Sequence, residues 1–251
     1  MTPPGRRIAE ARLALILLTR LPAGRLADPV PPIASAAWAF PLVGLVVGVI
    51  GWAAQAGALA LGLGAVPAAL LALGAMILAT GALHLDGLAD LADGLGGGRD
   101  RVHALEIMRD SRIGTYGALA LILAVGLGAA ALSRSEGGAP PVAFLLAAVA
   151  SRLAMTAAIV WLPAARSDGL GQDAAGISWA VLVPGALVCG ALIYVAGPGA
   201  VGALVGAAAA AGIVAWRSHE RLGGQTGDVL GAVQVSAEIV CLLALSAART
   251  G

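Results

Sequence analysis

Three aspartates recur at helical spacing near the middle of the chain. Asp86, Asp90 and Asp93 lie at positions i, i+4 and i+7, which places their carboxylates on one face of a helix. Like charges on one face repel each other, so this arrangement is typical of a site where a cation offsets the repulsion. Dense carboxylate oxygens favour Mg²⁺, which completes its shell with water and substrate phosphates. We therefore predict a magnesium site; the alternative is a solvated helix end whose dipole favours negative charge.

Residues on both sides of the aspartates have types that suit phosphate chemistry. His84 precedes them and could act as an acid–base group or support a metal ligand. Gly96 and Gly97 belong to a glycine-rich stretch that would allow a tight turn close to phosphate oxygens. Arg109 and Arg112 could clamp phosphate with paired donors, and anchoring at a membrane interface is the alternative role for both.

Further polar residues occur near the last apolar run and within two of the runs. The stretch 223–228 contains Gln225, Thr226 and Asp228. Arg152 and Glu238 fall inside apolar runs, where an ionisable group is costly and is a functional candidate by default. We expect Arg152 to pair with Glu238 or with an aspartate, either as support for a site or as a buried structural ion pair.

The composition indicates that most of the surface faces lipid. Hydrophobic residues make up 59% of the chain, charged residues only 12%, and the mean hydropathy is +0.92. A soluble domain has roughly a quarter of its residues charged. The net charge of +1 gives no indication of a nucleic-acid partner. We predict one integral-membrane domain over 1–251, an all-α polytopic helix bundle in a lipid bilayer.

Apolar windows of about 19 residues locate the expected spans. The chain begins with an arginine-rich segment, 1–32, whose apolar run 13–18 is too short to cross a bilayer, so we predict that it lies at the interface. About six to seven transmembrane helices follow, because the fifth and sixth are joined by a very tight turn. The predicted spans are 33–53, 64–83, 114–132, 141–162, 177–196, 199–216 and 229–247.

Arginine placement predicts that the N-terminus is cytoplasmic. All 15 basic residues are arginine. With these spans, twelve of them lie on the same side of the membrane as the N-terminus, Arg134 and Arg249 lie on the opposite side, and Arg152 lies within a span. The stretches 84–113, 164–176 and 217–228 then face the cytoplasm and hold ten of the 14 acidic residues. Charges gathered at one face favour an enzyme with soluble substrates, whereas a transporter places its key charges near the midplane.

Ordered motifs along the chain resemble one enzyme family. They comprise 81–90, 93–97 and 108–117 in the centre, 19–22 and 40–44 before it, and 165–166, 169–171 and 224–228 after it. Together they resemble adenosylcobinamide-GDP ribazoletransferase, also called cobalamin synthase. The central motif is highly specific, and the matches span nearly the whole chain.

The resemblance implies a Mg²⁺-dependent transfer late in vitamin B12 synthesis, in the bacterial cytoplasmic (inner) membrane. The phosphoryl group on the aminopropanol arm of adenosylcobinamide-GDP would pass to a ribose hydroxyl of α-ribazole or its 5′-phosphate, and GMP would leave. A homo-oligomer is compatible with this function. In this hypothesis 84–113 is the catalytic loop. One of the carboxylates takes the proton of the attacking hydroxyl, and the sequence does not identify which carboxylate it is. The metal is held by Asp86, Asp90 and Asp93 with help from Asp110 and Asp228, and substrate phosphates are bound by Gly96, Gly97, Arg109, Arg112, Arg166, Gln225 and Thr226.

Two other classes remain alternatives. The CDP-alcohol phosphotransferases also join an aspartate cluster to a membrane bundle, but their motif begins Asp-Gly-x-x-Ala-Arg, and Asp90 stands here in the arginine position. A small-solute transporter would distribute charges across the midplane, where only Arg152 and Glu238 are expected.

Overall fold

The chain folds into a bundle of α-helices. The computed structural model describes residues 4–135, 137–166 and 177–248, and the regular elements of these residues are helical. Short 3-10 turns cover Ala37–Ala39 and Trp179–Leu182. The α-helices are α1 (Pro4–Leu18), α2 (Ile33–Ala36), α3 (Phe40–Ala60), α4 (Ala65–Thr80), α5 (Leu83–Gly97), α6 (Arg101–Ile107), α7 (Thr115–Leu132), α8 (Pro141–Trp161), α9 (Val183–Ala196), α10 (Gly199–Leu222) and α11 (Gly227–Ala247).

Within the part of the chain that the structure describes, six helical segments are long and apolar enough to cross a membrane. These residues provide a seventh span if α4 and α5 are counted together, and this pair is bent by 92°. The all-α prediction with six to seven spans is therefore confirmed. The six segments are Ile33–Ala60, Thr115–Leu132, Pro141–Trp161, Trp179–Ala196, Gly199–Leu222 and Gly227–Ala247.

The bend after α4 is built by two residues in the left-handed region. Gly81 has φ 63° and Ala82 has φ 59°, and their N–H groups donate to the carbonyls of Leu78 and Ile77. These bonds close the last turn of α4 in the manner of a helix C-cap. The chain then leaves at a steep angle as α5, so the aspartate-bearing helix crosses the bundle and does not continue the span.

In the stretch 84–113, the helix expected to carry Asp86, Asp90 and Asp93 is present, and part of the remainder, expected as a loop, is helical as well. α5 continues through Gly97, and the predicted glycine turn is its last turn. A side chain on Gly94 would collide with Met108, and one on Gly98 with Ala104. The glycines thus allow α6 to fold back against α5. Asp100 begins α6 by accepting a hydrogen bond from the His103 N–H at 2.9 Å.

The α1 helix is fixed to the bundle by a buried carboxylate. Glu10 is 1% exposed and accepts hydrogen bonds from Arg6, Arg7 and the indole N–H of Trp38. Leu13, Ala14 and Leu18 are buried on the same helix. α1 therefore packs one face against the segment 33–39, while its interfacial location stays a prediction.

Two glycines allow a close contact between α3 and α8. An added Cβ on Gly44 would overlap the carbonyl group of Ala148, and one on Gly48 would lie 2.9 Å from the carbonyl oxygen of Phe144. Small residues at such crossings let two backbones approach closely, which is the main source of helix association in lipid.

Replacing Gly44 by alanine should therefore destabilise the bundle. Overpacking typically costs about 1–3 kcal/mol, and Gly44→Ala should lower the unfolding temperature in detergent accordingly. Gly57→Ala, on the same helix, is the matched control, since an added Cβ there meets nothing within 4 Å. Equal unfolding temperatures for the two variants would contradict this account of the α3–α8 contact.

Candidate active site

The aspartate-bearing helix α5 packs directly on the start of α11. A Cβ on Gly87 would lie 2.8 Å from both the Cα and the carbonyl oxygen of Asp228, and one on Gly231 would lie 2.9 Å from the carbonyl oxygen of His84. Two glycines, one on each helix, therefore permit this close crossing. The crossing places Asp228 beside the turn of α5 that carries Asp86 and Asp90.

The electrostatics of Asp90 show that these carboxylates share one site. The pKa of Asp90 is raised to about 6, chiefly by burial and then by the negative charges of Asp228, Asp86 and Asp93, in that order of influence. Arg166 is the nearby charge that lowers this pKa. Carboxylates from both α5 and α11 therefore act on Asp90, and the Arg166 guanidinium partly offsets them.

Arg166 connects the acidic cluster to α6. Its Nη1 lies 3.9 Å from Oδ2 of Asp228, and its Nη2 donates to the carbonyl of Leu105 at 3.1 Å. The side chain is only 17% exposed. The sequence prediction placed Arg166 among phosphate-binding residues, and the structure brings it to the aspartates.

The three aspartates of α5 differ in their surroundings. Asp86 is exposed, Asp90 is half-buried and Asp93 is buried. Both oxygens of Asp93 accept backbone hydrogen bonds, from Gly114 N at 2.7 Å and Gly117 N at 2.9 Å. A carboxylate in this position satisfies amides at the start of a helix and interacts favourably with its dipole. Asp93 thus holds the start of α7 in place, and its role as a metal ligand stays a prediction.

The segment before α11 is fixed by backbone pairing. Ala165 N donates to Gln225 O at 2.9 Å, and Gln225 N donates to Pro163 O at 2.8 Å. The Gln225 amide donates to the carbonyls of Ile159 and Leu162 at the end of α8. Gln225 is 2% exposed. It anchors the segment that carries Asp228, and its predicted contact with substrate is not tested.

Thr226 orients the start of α11. Its hydroxyl oxygen accepts a hydrogen bond from Val229 N at 3.3 Å, as an N-cap residue does. The same hydroxyl donates to Oδ2 of Asp228 at 3.2 Å. Thr226 thereby positions the Asp228 carboxylate, whereas its predicted phosphate contact stays a prediction.

The turn after α6 carries its own ion pair. Arg112 contacts Asp110 at 2.7 Å, and the hydrogen bonds from Arg112 lower the pKa of Asp110 to about 2. Asp110 is not among the charges that act on Asp90. Arg109 is exposed in the same turn. The predicted metal-binding role of Asp110 and the phosphate-binding roles of both arginines therefore stay predictions.

The glycines at the end of α5 make room for neighbouring side chains. A Cβ on Gly96 would overlap the ring of Tyr116, and one on Gly97 would approach Ile107 at 3.3 Å. These contacts explain why glycine occurs at both positions without invoking phosphate. Phosphate binding by their backbone stays a prediction.

Arg101 is a structural residue of the site that the sequence reasoning missed. Its Nε donates to Leu222 O at 2.7 Å, and its Nη2 donates to Ala165 O at 2.8 Å. It thereby ties α6 to the end of α10 and to the segment that carries Arg166. Arg221 donates in return to Gly98 O at 3.0 Å. No spacing in the sequence relates residues so far apart.

A buried polar group lies deeper in the bundle. His84, Arg152 and Glu238 line a small cavity of about 80 Å³ together with Gln234. Gln234 donates to Ser151 at 3.0 Å and also to Glu238, and Arg152 donates to the carbonyl of Ala148. Arg152 and Glu238 attract each other electrostatically; within the described residues they form no direct ion pair, so the expected pairing holds only at longer range.

A second cavity opens beside the carboxylates. This space of about 250 Å³, the α1 cavity, lies among α1, the segment 33–40, the first turns of α5 and α11, and α8. Asp86, Asp228 and His84 are the polar side chains that line it. Its apolar walls include Leu17, Ile33, Phe40, Met155, Ile159 and Leu230.

The site's donor set fits Mg²⁺ completed by a substrate. Among the described residues no three His, Cys, Asp or Glu side chains converge closely enough to hold a metal together. Mg²⁺ is usually held by one or two carboxylates plus substrate phosphates and water, so a preformed cage of three is not required. The mutual repulsion around Asp90 is the charge pattern that a divalent cation would offset.

Comparisons with known proteins identify the family. The family model for cobalamin-5-phosphate synthase matches residues 10–246. The chain belongs to this family. A protein of Bradyrhizobium diazoefficiens called adenosylcobinamide-GDP ribazoletransferase is 44% identical over 97% of this chain and 95% of its own length. Proteins of the same name from Mesorhizobium japonicum and Xanthobacter autotrophicus are 42% and 46% identical, over 98% and 89% of this chain and 95% and 89% of their own lengths. No solved structure matches the chain.

The family assignment confirms the resemblance inferred from the motifs and favours it over both alternative classes. Of those motifs, 169–171 lies outside the described residues, as do Asp168 and Asp173 of the predicted loop 164–176. Of the remaining motifs, 81–90, 93–97 and 224–228 lie on α5 and at the start of α11, and 108–117 runs from the end of α6 into α7. Motif 165–166 pairs with the segment before α11, whereas 19–22 follows α1 and 40–44 begins α3. The central and C-terminal motifs thus gather around the α5–α11 crossing.

Asp93→Asn should destabilise the fold, whereas Asp86→Asn should not. Asparagine retains one acceptor oxygen and loses the charge, so the α7 amides lose a charge-assisted bond at a cost of about 1–2 kcal/mol. The exposed Asp86 serves as the matched control on the same helix. Thermal unfolding of both purified variants in detergent measures the difference, and an unchanged melting temperature for Asp93→Asn would show that Asp93 does not stabilise the start of α7.

Proposed function

We propose that the protein transfers a phosphoryl-linked corrinoid from adenosylcobinamide-GDP to α-ribazole or its 5′-phosphate and releases GMP. A ribose hydroxyl oxygen forms a bond to the phosphorus that bears the aminopropanol arm. The bond from that phosphorus to the oxygen bridging to GMP breaks, and GMP leaves with the bonding electrons. The products are adenosylcobalamin, or its 5′-phosphate, and GMP.

The observation that carries this proposal is the meeting of α5 and α11. Asp86 and Asp90 from one helix approach Asp228 from the other, with Arg166 beside them. Exchange at a pyrophosphate needs positive charge on the phosphates and a base for the incoming hydroxyl. The family assignment supplies the substrates, since the similar proteins are called adenosylcobinamide-GDP ribazoletransferase.

We assign Mg²⁺ binding to one or two carboxylates from the group Asp86, Asp90 and Asp228, with substrate phosphates and water completing the shell. Asp93 accepts hydrogen bonds from the α7 amides, and Asp110 pairs with Arg112. These two aspartates would therefore support the site without binding the metal directly. When bound, Mg²⁺ would neutralise charge on the transferred phosphate and the leaving group.

The remaining side chains bind phosphate and hold the reacting groups. Arg166 is the cation nearest the carboxylates and would contact the pyrophosphate, a role in which a guanidinium is favoured by its paired donors. A carboxylate of the cluster accepts the hydroxyl proton. Thr226 and Gln225 keep Asp228 in position from the other side.

We further propose that the protein lies in the bacterial cytoplasmic membrane with its N-terminus and active site facing the cytoplasm. The support is the arginine asymmetry, because positive residues accumulate in cytoplasmic segments. Soluble nucleotide substrates would reach such a site directly. Contact with the lipid bilayer follows from the six apolar segments, and a homo-oligomer stays a prediction.

The activity can be measured with purified protein in lipid vesicles. Adenosylcobinamide-GDP, α-ribazole and Mg²⁺ should yield GMP, and chelation by EDTA should stop the reaction. Asp86→Asn and Asp90→Asn should each lower kcat at least ~100-fold, because loss of a metal ligand removes several kcal/mol of transition-state stabilisation. Glu220→Gln, at an exposed acidic residue paired with Arg217, should retain activity. Turnover that persists in EDTA and in both aspartate variants would refute the metal assignment.

The orientation can be tested with single cysteines. Both native cysteines are buried, so an impermeant maleimide should react mainly with introduced ones. Arg99→Cys should be labelled in inverted membrane vesicles and protected in intact cells, and Ser135→Cys should show the opposite pattern. The reverse result for both positions would place the site on the other face.

A further inference from the structure

The α1 cavity has two chemically different ends. Its acidic end carries Asp86 and Asp228, which belong to the proposed active site. Its walls are apolar and come from α1, the segment 33–40, α8 and α11, with Phe40, Met155 and Leu230 all buried. A molecule that fills this space must therefore combine an apolar body with a polar group that reaches the carboxylates.

The substrates of the proposed reaction contain three large groups, and their chemistry separates them. A corrin macrocycle is much larger than a space of about 250 Å³. Guanine has donors and acceptors around most of its edge, whereas His84, Asp86 and Asp228 are the polar side chains that line the cavity. The apolar walls would therefore leave several groups of guanine without partners, at a considerable cost. The base of α-ribazole is a flat dimethylbenzimidazole, which is mostly apolar and is joined directly to the ribose that supplies the attacking hydroxyl.

We propose that the α1 cavity binds the benzimidazole base of α-ribazole and directs its ribose toward Asp86 and Asp228. The inference rests on the proposed function and adds where the nucleophile binds. Burial of the ring and its methyl groups against Leu17, Ile33 and Ile159 supplies affinity. Leu17 and Ile33 enclose the space that the methyl groups of the base occupy in this proposal. These two residues therefore determine specificity for the base.

The position of the cavity agrees with the order of groups in the nucleoside. A base held between α1 and α8 leaves its sugar at the end of the cavity lined by Gly227 and Asp228. The attacking hydroxyl then lies beside the carboxylates, and the pyrophosphate of the other substrate is left to approach from the exposed side of α5, where Asp86 lies. The two substrates thus reach the cluster from different directions.

The test compares Leu17→Phe with Ile16→Phe. Leu17 lines the cavity, whereas its neighbour Ile16 is 37% exposed and does not line it. In the vesicle assay at saturating Mg²⁺, Leu17→Phe should raise KM for α-ribazole about 10-fold or more, as expected when a hydrophobic pocket loses room for a methyl-sized group. In the same variant, KM for adenosylcobinamide-GDP should change by no more than about twofold. For Ile16→Phe, KM for α-ribazole and KM for adenosylcobinamide-GDP should both stay within about twofold of the values for the unmodified protein.

A smaller base distinguishes a filled pocket from general damage. The analogue of α-ribazole without the two methyl groups should be less affected by Leu17→Phe than α-ribazole itself, so the ratio of KM for α-ribazole to KM for the analogue should rise. In the unmodified protein the imidazole riboside, which lacks the fused ring, should have a KM at least ~10-fold higher than α-ribazole, because less apolar surface is buried. Should Leu17→Phe fail to fold, Ile33→Phe narrows the cavity from a different element and carries the same expectation.

The inference is overturned if the cavity variants leave KM for α-ribazole unchanged or raise KM for every nucleoside equally. It is also overturned if native mass spectrometry finds a bound lipid in the unmodified protein that is absent from the Leu17→Phe variant, while KM for α-ribazole is the same in both. Failure of the proposed function has a different signature: the unmodified protein would then release no GMP with any nucleoside.

Discussion

The crossing of α5 over α11 is the contact on which the site depends. Gly87 and Gly231 remove the side chains that would hold the two backbones apart, and only at this separation do carboxylates from both helices act on each other. Burial of the Asp90 carboxyl and, after it, repulsion from the neighbouring carboxylates raise the pKa of Asp90, and both are unfavourable for the isolated fold. The rest of the bundle must supply the free energy that keeps these charges together.

Several separate contacts and turns hold the α5–α11 crossing in place. The left-handed pair at Gly81 and Ala82 turns α5 away from α4, and Asp93 fixes its far end to the first amides of α7. On the other side, Gln225 bonds the segment before α11 to the end of α8. Each of these contacts gives a partner to backbone groups that would otherwise lack one.

The carboxylates of α5 illustrate how one sequence pattern serves two purposes. Asp86 and Asp90 face the open side of the cluster, whereas Asp93 points into the protein and caps a helix. Glycines divide similarly: those at the end of α5 make room for Tyr116 and Met108, and those at the crossing bring the carboxylates together. Residue type and spacing alone treat all members of each group as equivalent, and their neighbours in three dimensions make them different.

The sequence by itself determined the membrane class, the helical architecture and the number of spans, because hydropathy over 20-residue windows is a local property of the chain. It also determined the family, because the ordered motif 81–117 is local as well. It also predicted that Asp86, Asp90 and Asp228 belong to one site. It could not predict that 84–113 is two helices, that Arg101 ties the site together, or that an apolar cavity adjoins the carboxylates. Those features depend on contacts between residues far apart in the chain. Only the packing of α5 against α7 and α11 decided which carboxylates remain accessible and which are bonded within the protein.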